Sequence, residues 1–311
     1  MASNADILAA AAALKAGQLV AFPTETVYGL GADATNDKAV ALVYAAKGRP
    51  AFNPLIAHVA SAEEAYRLGV FPQAARRLAV ALWPGPLSIV VPRAADCPVS
   101  LLASAGLESI ALRVPNHPVA LALLRAVGRP VVAPSANPSG RVSPTTAEHV
   151  RRHLGAKVAV ILDGGRCKVG VESTVVSFLD DGPKLLRPGG IARADIERIA
   201  GVTLTVESHV ARPHAPGQLE SHYAPHAELR LHAEAPRNGE AYLGFGPHAH
   251  GPYTLSASGD LVEAAANLFR LLHDIDATGV SRIAVATIPH HGLGEAINDR
   301  LLRAAAPRPA P

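Results

Sequence analysis

Lys47-Gly-Arg-Pro-Ala-Phe-Asn-Pro-Leu-Ile-Ala-His58 and, far downstream, Pro134-Ser-Ala-Asn137 decide how this chain is read. The first stretch sets cationic and amide donors (Arg49, Asn53, His58) among Gly48, Pro50 and Pro54, just after a helix-like segment and just before a strand-like one. The second ends the apolar run Pro130-Val-Val-Ala133 with a hydroxyl and an amide. Polar groups at strand ends beside tight turns are how α/β proteins build nucleotide pockets.

Working outward, residues 5–205 alternate helix and strand patterns. Helices are expected over Asp6–Ala16, ended by Gly17, over Asn36–Ala46 with Val40, Val43 and Tyr44 on one face, and over Pro72–Leu82. Strands are expected at Leu19–Phe22, Leu55–Val59, Leu87–Val91, Ser109–Val114, Val131–Ala133, Val158–Leu162 and Thr174–Phe178. Many strands with few long helices predict an α/β (α+β) fold: a mixed sheet with flanking helices. Residues 206–227 hold Pro213, Pro216, Pro225 and four histidines with no sustained period, so they read as a linker. Residues 228–305 read as a smaller α/β unit, with strands at Leu229–His232, Ala241–Phe245 and Arg282–Ile288 and helices at Leu261–Asp274 and Leu293–Ala304.

With 311 residues and 49% hydrophobic content, the chain can bury a real core, and wholesale disorder is excluded. No apolar run reaches membrane-spanning length, and the N-terminus lacks the basic region of a signal peptide. Two cysteines, Cys97 and Cys167, point to a reducing, cytoplasmic setting. Charge is uneven: residues 1–205 carry 21 Lys+Arg against 15 Asp+Glu, whereas residues 206–311 carry 8 against 11. The positive half is the expected home of a polyanion, although an ordinary soluble surface gives the same count.

Each motif has a functional and a conservative reading. Pro23-Thr-Glu-Thr-Val-Tyr-Gly-Leu-Gly31 offers hydroxyls and glycines for close approach, or is a strand-to-helix turn needing positive φ. Lys47, Arg49 and Asn53 suit phosphate or carboxylate, or are a helix C-terminus favouring cations. In Ser109-Ile-Ala-Leu-Arg-Val-Pro115, alternation puts Ser109, Ala111 and Arg113 on one face, and an arginine within that strand needs an anion, either a ligand or a structural partner. The loop with Ser135, Asn137, Ser139, Gly140, Arg141, Ser143 and Thr145 could cradle phosphate or ribose, or Ser143 or Thr145 could simply cap a helix near Thr146. Ser173 in Gly170-Val-Glu-Ser-Thr174 and Arg187 in Leu186-Arg-Pro-Gly-Gly190 add donors at sheet edges. The scattered histidines of the second half match no compact zinc signature, so no protein-held metal is expected. P-loop and nucleophile-elbow patterns are absent from the sequence.

Taken in order, Pro23–Gly31, Lys47–Pro50 with Asn53-Pro-Leu and His58, Pro134–Asn137 with Ser139-Gly140, Glu172–Val176 and His222-Tyr-Ala-Pro225 resemble the Sua5/YrdC family of threonylcarbamoyl-AMP synthases, in its long, two-domain form. The resemblance implies a YrdC-like twisted mixed sheet over residues 5–205, a linker or lid at 206–227 and a Sua5-type domain at 228–305. It implies a nucleotidyltransferase that joins L-threonine, bicarbonate or CO2, and ATP, releasing pyrophosphate. The product would pass to a transferase that modifies position 37 of ANN-decoding tRNAs, with tRNA itself a possible partner. By match to the motifs, Thr26, His58, Arg113, the backbone at Ala133 and Ser173 are expected to hold threonine. Arg49, Asn53, Ser109, Ser135, Ser143, Arg187 and Tyr223 are expected to hold ATP. Lys47 and Arg49 are the expected catalytic cations, and Mg2+ is expected to arrive with ATP on few protein ligands.

Two rivals remain at this stage. A basic α/β module binding double-stranded RNA or tRNA without catalysis would show salt-sensitive RNA affinity and no ATP turnover. A carbamoyl-transfer domain of the hydrogenase-maturation kind would respond to carbamoyl phosphate, but such proteins carry paired CxxC segments that this sequence lacks.

Overall fold

The computed structural model describes residues 2–179, 182–206, 221–249 and 251–307, so most of the expected linker and the last residues of the tail lie outside the described residues. The first unit runs α1 (Asn4–Lys15), β1 (Val20–Phe22), β2 (Gly29–Asp33), α2 (Asp37–Lys47), β3 (Ile56–His58), α3 (Ala62–Leu68), α4 (Gln73–Leu82) and β4 (Leu87–Pro92). It continues through β5 (Ser109–Arg113), α5 (Pro118–Val127), β6 (Val131–Val132), α6 (Ala147–Leu154), β7 (Val160–Ile161), β8 (Thr174–Leu179), β9 (Gly182–Arg187), α7 (Arg193–Ala200) and β10 (Thr205–Val206). Ten strands form one mixed sheet in the order β10-β9-β8-β4-β5-β3-β6-β2-β1-β7.

Strand alternation determines what each face of this sheet does. Ala57, Ile89, Val91, Leu112, Val132 and Val176 point to the main core, packed with Val40 and Val43 of α2, Leu68 of α3, Leu78 of α4 and Ile196 of α7. On the other face, α1 and α5 cover β1 and β6 through Leu14, Val20, Phe22, Leu123 and Val131. Further along that second face, Ile56, Val90, Ala111, Val175 and Leu186 form a small apolar cluster made of strand residues alone. Continuing by two along β3 and β5 from Ile56 and Ala111 gives His58 and Arg113, which the parallel register sets side by side. The part of the sheet that α1 and α5 leave uncovered therefore carries the polar strand ends.

Where the sequence is explicit about caps, the elements follow it. Asn36 accepts hydrogen bonds from the Lys38 and Ala39 amides at the start of α2, and Gly48 ends the helix at φ 60°. That left-handed step turns the chain so that Arg49 leaves the helix axis. Two readings need correction. Gly29–Asp33 is a strand paired antiparallel with β1, not a strand-to-helix turn. Gly31 is required there for contact, since a Cβ would sit 2.9 Å from the Phe22 ring. The helix near Thr146 is capped by Thr146 itself, which accepts from the His149 amide, and not by Ser143 or Thr145. Helices α3, α5 and α7 carried no clear sequence signal: α5 is apolar on nearly every side, and α3 and α7 are short.

The second unit comprises β11 (Glu228–Arg230), β12 (Glu240–Leu243), α8 (Leu261–Asp276), β13 (Arg282–Val285) and α9 (Gly294–Ala305), with a parallel sheet ordered β11-β13-β12. Its core is shared: Val27, Val142 and Val171 of the first unit pack with Tyr223, Leu268, Phe269 and Leu301. Gly170, at φ 77°, lies against α8 so closely that a Cβ would meet the Ala265 carbonyl at 2.4 Å.

Across this seam the His149 and His273 rings lie 3.9 Å apart, with His153 5.4 Å from His273, and His273 Nε2 sits 3.1 Å from the Ser143 carbonyl. Burial, followed by the Arg152 charge, pushes His149 down to about 4. Burial, followed by the His149 ring, pushes His273 down to about 3. Both values lie below the ordinary 6.5, so the unfolded chain takes up protons first as pH falls. Their contribution is complete above pH 6.5 and drains away as pH falls from there toward 4 for His149 and toward 3 for His273. Thermal melts across that window should show the melting temperature falling with pH, with a flatter dependence in His273→Gln. A slope unchanged by the substitution would remove this pair from the acid response.

Candidate active site

A cleft of about 470 Å³, counting its mouth, opens where the uncovered face meets the second unit. Its lining includes Arg49, His58, Arg113, Ala133, Ser135, Ser173, Arg187 and Tyr223, all expected from the sequence, together with Glu172 and His222. Three guanidiniums thus face one carboxylate, and the cleft is built for an anion. Thr26, Lys47, Asn53, Ser109 and Ser143 do not line it, and each is placed differently.

At one end sits Arg113. Its Nη2 donates to Glu25 Oε1 at 2.7 Å and to Thr26 Oγ1 at 2.9 Å. Glu25 also accepts the Asn116 amide, and the Thr26 hydroxyl lies 2.8 Å from that of Thr24. The anionic partner demanded by the sequence is therefore Glu25, which sequence reading passed over. A carboxylate three residues beyond a strand gives no signal that it will fold onto an arginine so distant in the chain. Arg113 Nη1 makes no hydrogen bond among the described residues, so the fork keeps one arm for a ligand. Glu25→Gln leaves this buried guanidinium without its counter-charge and should cost about 3 kcal/mol in urea unfolding. An unchanged midpoint would show the pair to be dispensable.

Beside Arg113, His58 Nδ1 lies 3.2 Å from the Ile56 carbonyl, which can only accept, so this nitrogen carries a proton. Burial, followed by the Arg113 charge, pushes His58 down to about 3, so the ring is neutral at physiological pH. It offers shape and hydrogen bonding, not charge.

Toward the other end, Arg49 is fixed by its own loop: Nε donates to the Asn53 carbonyl at 3.0 Å, and Nη2 donates to Asn53 Oδ1 at 2.6 Å and to the Pro54 carbonyl at 2.8 Å. Asn53 is thus a brace for Arg49, and its own Nδ2 is buried without a partner. Burial lowers Arg49 to about 10, still well above neutrality. Arg187 donates to the Ser173 carbonyl and hydroxyl, and Ser173 Oγ also lies 2.8 Å from Ser88 Oγ.

Lys47, expected with Arg49 as a catalytic cation, does not line the cleft. It is buried behind the loop, with Nζ donating to the carbonyls of Ser135 and Asn137, both at 2.5 Å. Burial, followed by the Arg49 charge, holds its pKa well below the usual value. It anchors the Pro134–Asn137 loop that presents Ser135. Ser143 is likewise internal, its hydroxyl donating to Glu172 Oε1 at 2.5 Å. Ser109 opens β5 opposite Pro92, on the Arg113 face but roughly 13 Å away along the strand.

His222 and Tyr223, within the expected linker, close the cleft. Tyr223 sits at φ 63°, a left-handed conformation that non-glycine residues adopt only when their surroundings impose it. Its ring packs against Phe269 at 5.6 Å, and its hydroxyl is buried without a hydrogen bond. His222 Nδ1 is also unpartnered, and burial, followed by the cations Arg49, Lys47, Arg300 and Arg187, keeps its pKa well below the usual value. Unpaired buried donors and acceptors beside an anion-binding cleft are groups waiting for a ligand. Among the described residues no group of three or more His, Cys, Asp or Glu side chains is placed to hold a metal ion, and no helix is long and apolar enough to cross a membrane.

Fold and cleft together define a two-unit α/β protein with a guanidinium-lined cleft where a mixed sheet meets a smaller docked unit. Comparison with known proteins gives this class its family. Residues 12–189 match the Sua5/YciO/YrdC family model, described as "Telomere recombination", and residues 191–306 match that of the "Threonylcarbamoyl-AMP synthase, C-terminal domain". The chain is 42% identical to the threonylcarbamoyl-AMP synthase of Bacillus subtilis, over 98% of this chain and 94% of that protein. It is 40% identical to that of Pyrococcus abyssi, over 96% of this chain and 94% of that protein. The crystal structure of P. abyssi Sua5 complexed with L-threonine superposes with a TM-score of 0.89 at 39% identity, covering 97% of this chain and 95% of that one. The chain belongs to the Sua5/YrdC family, in its two-domain form.

Proposed function

We propose that this chain condenses L-threonine, bicarbonate or CO2, and ATP into threonylcarbamoyl-AMP and pyrophosphate. The product serves N6-threonylcarbamoyladenosine formation at position 37 of ANN-decoding tRNAs through a downstream transferase. The observation that carries this reading is the gathering in one cleft of Arg113, His58, Ala133 and Ser173, which suit an amino acid, with Arg49, Arg187 and Ser135, which suit a polyphosphate. The family match and the relatives' names support it.

In this reading the free arm of Arg113 receives the threonine carboxylate, with Thr26 and Glu25 fixing the fork behind it. The neutral His58 and the Ser173 hydroxyl flank the amino acid. A site that hydrogen-bonds the threonine hydroxyl rejects valine far more strongly than an apolar pocket could. The threonine amine loses a proton on capturing CO2 as a carbamate. A carbamate oxygen then attacks the α-phosphorus of ATP in line with the departing pyrophosphate. No covalent enzyme intermediate is needed, so the protein contributes placement and charge. Arg49 and Arg187 face the phosphates, where they offset charge building on the leaving group. Ser135 and Tyr223 hold the nucleotide, Lys47, Asn53 and Ser143 brace the residues that do so, and Ser109 meets its outer end.

ATP enters as its Mg2+ complex. The lining supplies one carboxylate, Glu172, already engaged by Ser143 and by Arg300 of α9, so the donor set suits a metal carried on the triphosphate. The RNA-binding alternative is disfavoured because Arg49, Arg113 and Arg187 are buried in a cleft, not spread over an exposed face.

Pyrophosphate release, measured with L-threonine and bicarbonate each present or omitted, tests the reading. Release should require both and be far weaker with serine or valine. Release indifferent to threonine would overturn it.

A further inference from the structure

Arg300 is the largest fully buried side chain of the protein among the described residues, and it belongs to α9 of the second unit. Burying a guanidinium is costly unless its partners are fixed, and an apolar residue would fill the same space more cheaply. Its Nε donates to Glu172 Oε2 at 2.9 Å, across the seam between the units. Nη1 donates to Asp299 Oδ2 at 2.5 Å, and Nη2 has no partner. The guanidinium carbon lies 5.0 Å from the centre of the Tyr223 ring. Arg300 does not line the cleft, yet both groups it touches across that space, Glu172 and Tyr223, do.

Glu172 is chemically out of place. It is the one carboxylate in a lining that must receive a polyphosphate, and it stands near enough to Arg187 to feel its charge. Its backbone is closely packed: Gly190 donates to the Glu172 carbonyl, and a Cβ on Gly189 would lie 2.4 Å from the 172–174 main chain. Only the side chain retains a choice of partner. Left to itself, a carboxylate beside guanidiniums would pair with them and compete with ATP for their charge.

We propose that Arg300 is a positioning residue of the adenylation site, which sequesters the Glu172 carboxylate so that it does not cancel the positive charge the cleft offers the triphosphate. Its contact with Tyr223 sets the closing wall in the same stroke, so the site is complete only with the second unit docked. Burial raises the Glu172 pKa, but Arg300, then Arg187 and Ser143, outweigh it and hold the carboxyl below its usual range. The group is therefore charged, and an unsequestered Glu172 would be a true competitor. This inference rests on the proposed ATP site.

The test is steady-state kinetics of the full chain with Arg300→Met, Glu172→Gln and the double variant, alongside calorimetric binding of a non-hydrolysable ATP analogue. Arg300→Met should raise the KM for ATP about tenfold while the KM for threonine moves less than about twofold. Lowering the pH should narrow that defect, as Glu172 protonates. Glu172→Gln in the Arg300→Met background should return the ATP KM most of the way, and Glu172→Gln alone should lower it about twofold. Arg300→Lys should be intermediate. A merely structural arginine would lower kcat through the folded fraction and would gain nothing in ATP KM from the second substitution; that outcome overturns the proposal. So does a rise in ATP KM on Glu172→Gln alone, which remains readable if Arg300→Met does not fold. If the wild type failed to turn over threonine, the functional reading would fall, whereas analogue binding would still report on Arg300.

Discussion

Arg49→Ala should reduce pyrophosphate release by a factor of at least about 10²–10³ with the fold retained, because in the proposed reaction it removes a positioned cation from the leaving phosphates. Arg49 is held by bonds to Asn53 and Pro54 within its own loop, so no distant element depends on it. The stability loss should be confined to the unpaired Asn53 and Pro54 acceptors, about 1–3 kcal/mol. Arg49→Lys is the sharper comparison. It keeps the charge but loses the planar fork that grips Asn53 and aims the guanidinium, so it should recover little activity. A coupled pyrophosphate assay, with circular dichroism melts as the folding control, decides the matter. Turnover near wild type in Arg49→Ala would remove this loop from the chemistry.

A chain ending at residue 205 should lose turnover by at least about a hundredfold, because the cleft then lacks one wall and its reactants are no longer held in register. His222 and Tyr223 line the site from beyond that point, and Arg300 is lost with them. The truncation also strips the apolar cover from Val27, Val142 and Val171, so poor solubility is expected in addition. Tyr223→Ala in the full chain separates the two effects. It should lower activity in the same direction while the seam stays covered. Full turnover by the truncated chain would show the second unit to be dispensable for chemistry.

Much of the site could be read in the sequence because its residues sit where local rules apply. Gly48 ends α2 and sends Arg49 outward, and β5 alternates strictly enough to place Ser109, Ala111 and Arg113 on one face. Eight of the expected site residues do line one cleft. What the sequence could not disclose are partnerships across long separations. Glu25 meets Arg113, Ser143 and Arg300 both meet Glu172, and Lys47 turns inward to two carbonyls. Motif position gave Lys47 and Ser143 a place at the site but not their orientation, which only packing decides. Secondary structure followed the same division. Capped, amphipathic α2 was plain, whereas α5, with the all-round apolar pattern of a buried segment, gives no period to read. The strand Gly29–Asp33 was hidden because two glycines suggested a turn, when their purpose is to let Phe22 and Ala133 come close.

The shared core has a thermodynamic consequence. Val27, Val142 and Val171 each enter the core of the second unit, and each is the immediate sequence neighbour of a polar residue at or behind the cleft: Thr26, Ser143 and Glu172. Along these three segments one side chain packs against the partner unit and the next serves the cleft, directly at Glu172 or through Arg113 and Glu172 at Thr26 and Ser143. Adhesion between the units and ligand affinity are therefore linked quantities, and a ligand that favours the closed arrangement strengthens the junction by RT ln(1 + [L]/Kd). In the proposed reaction the nucleotide would be part of the mortar between the two halves of the molecule.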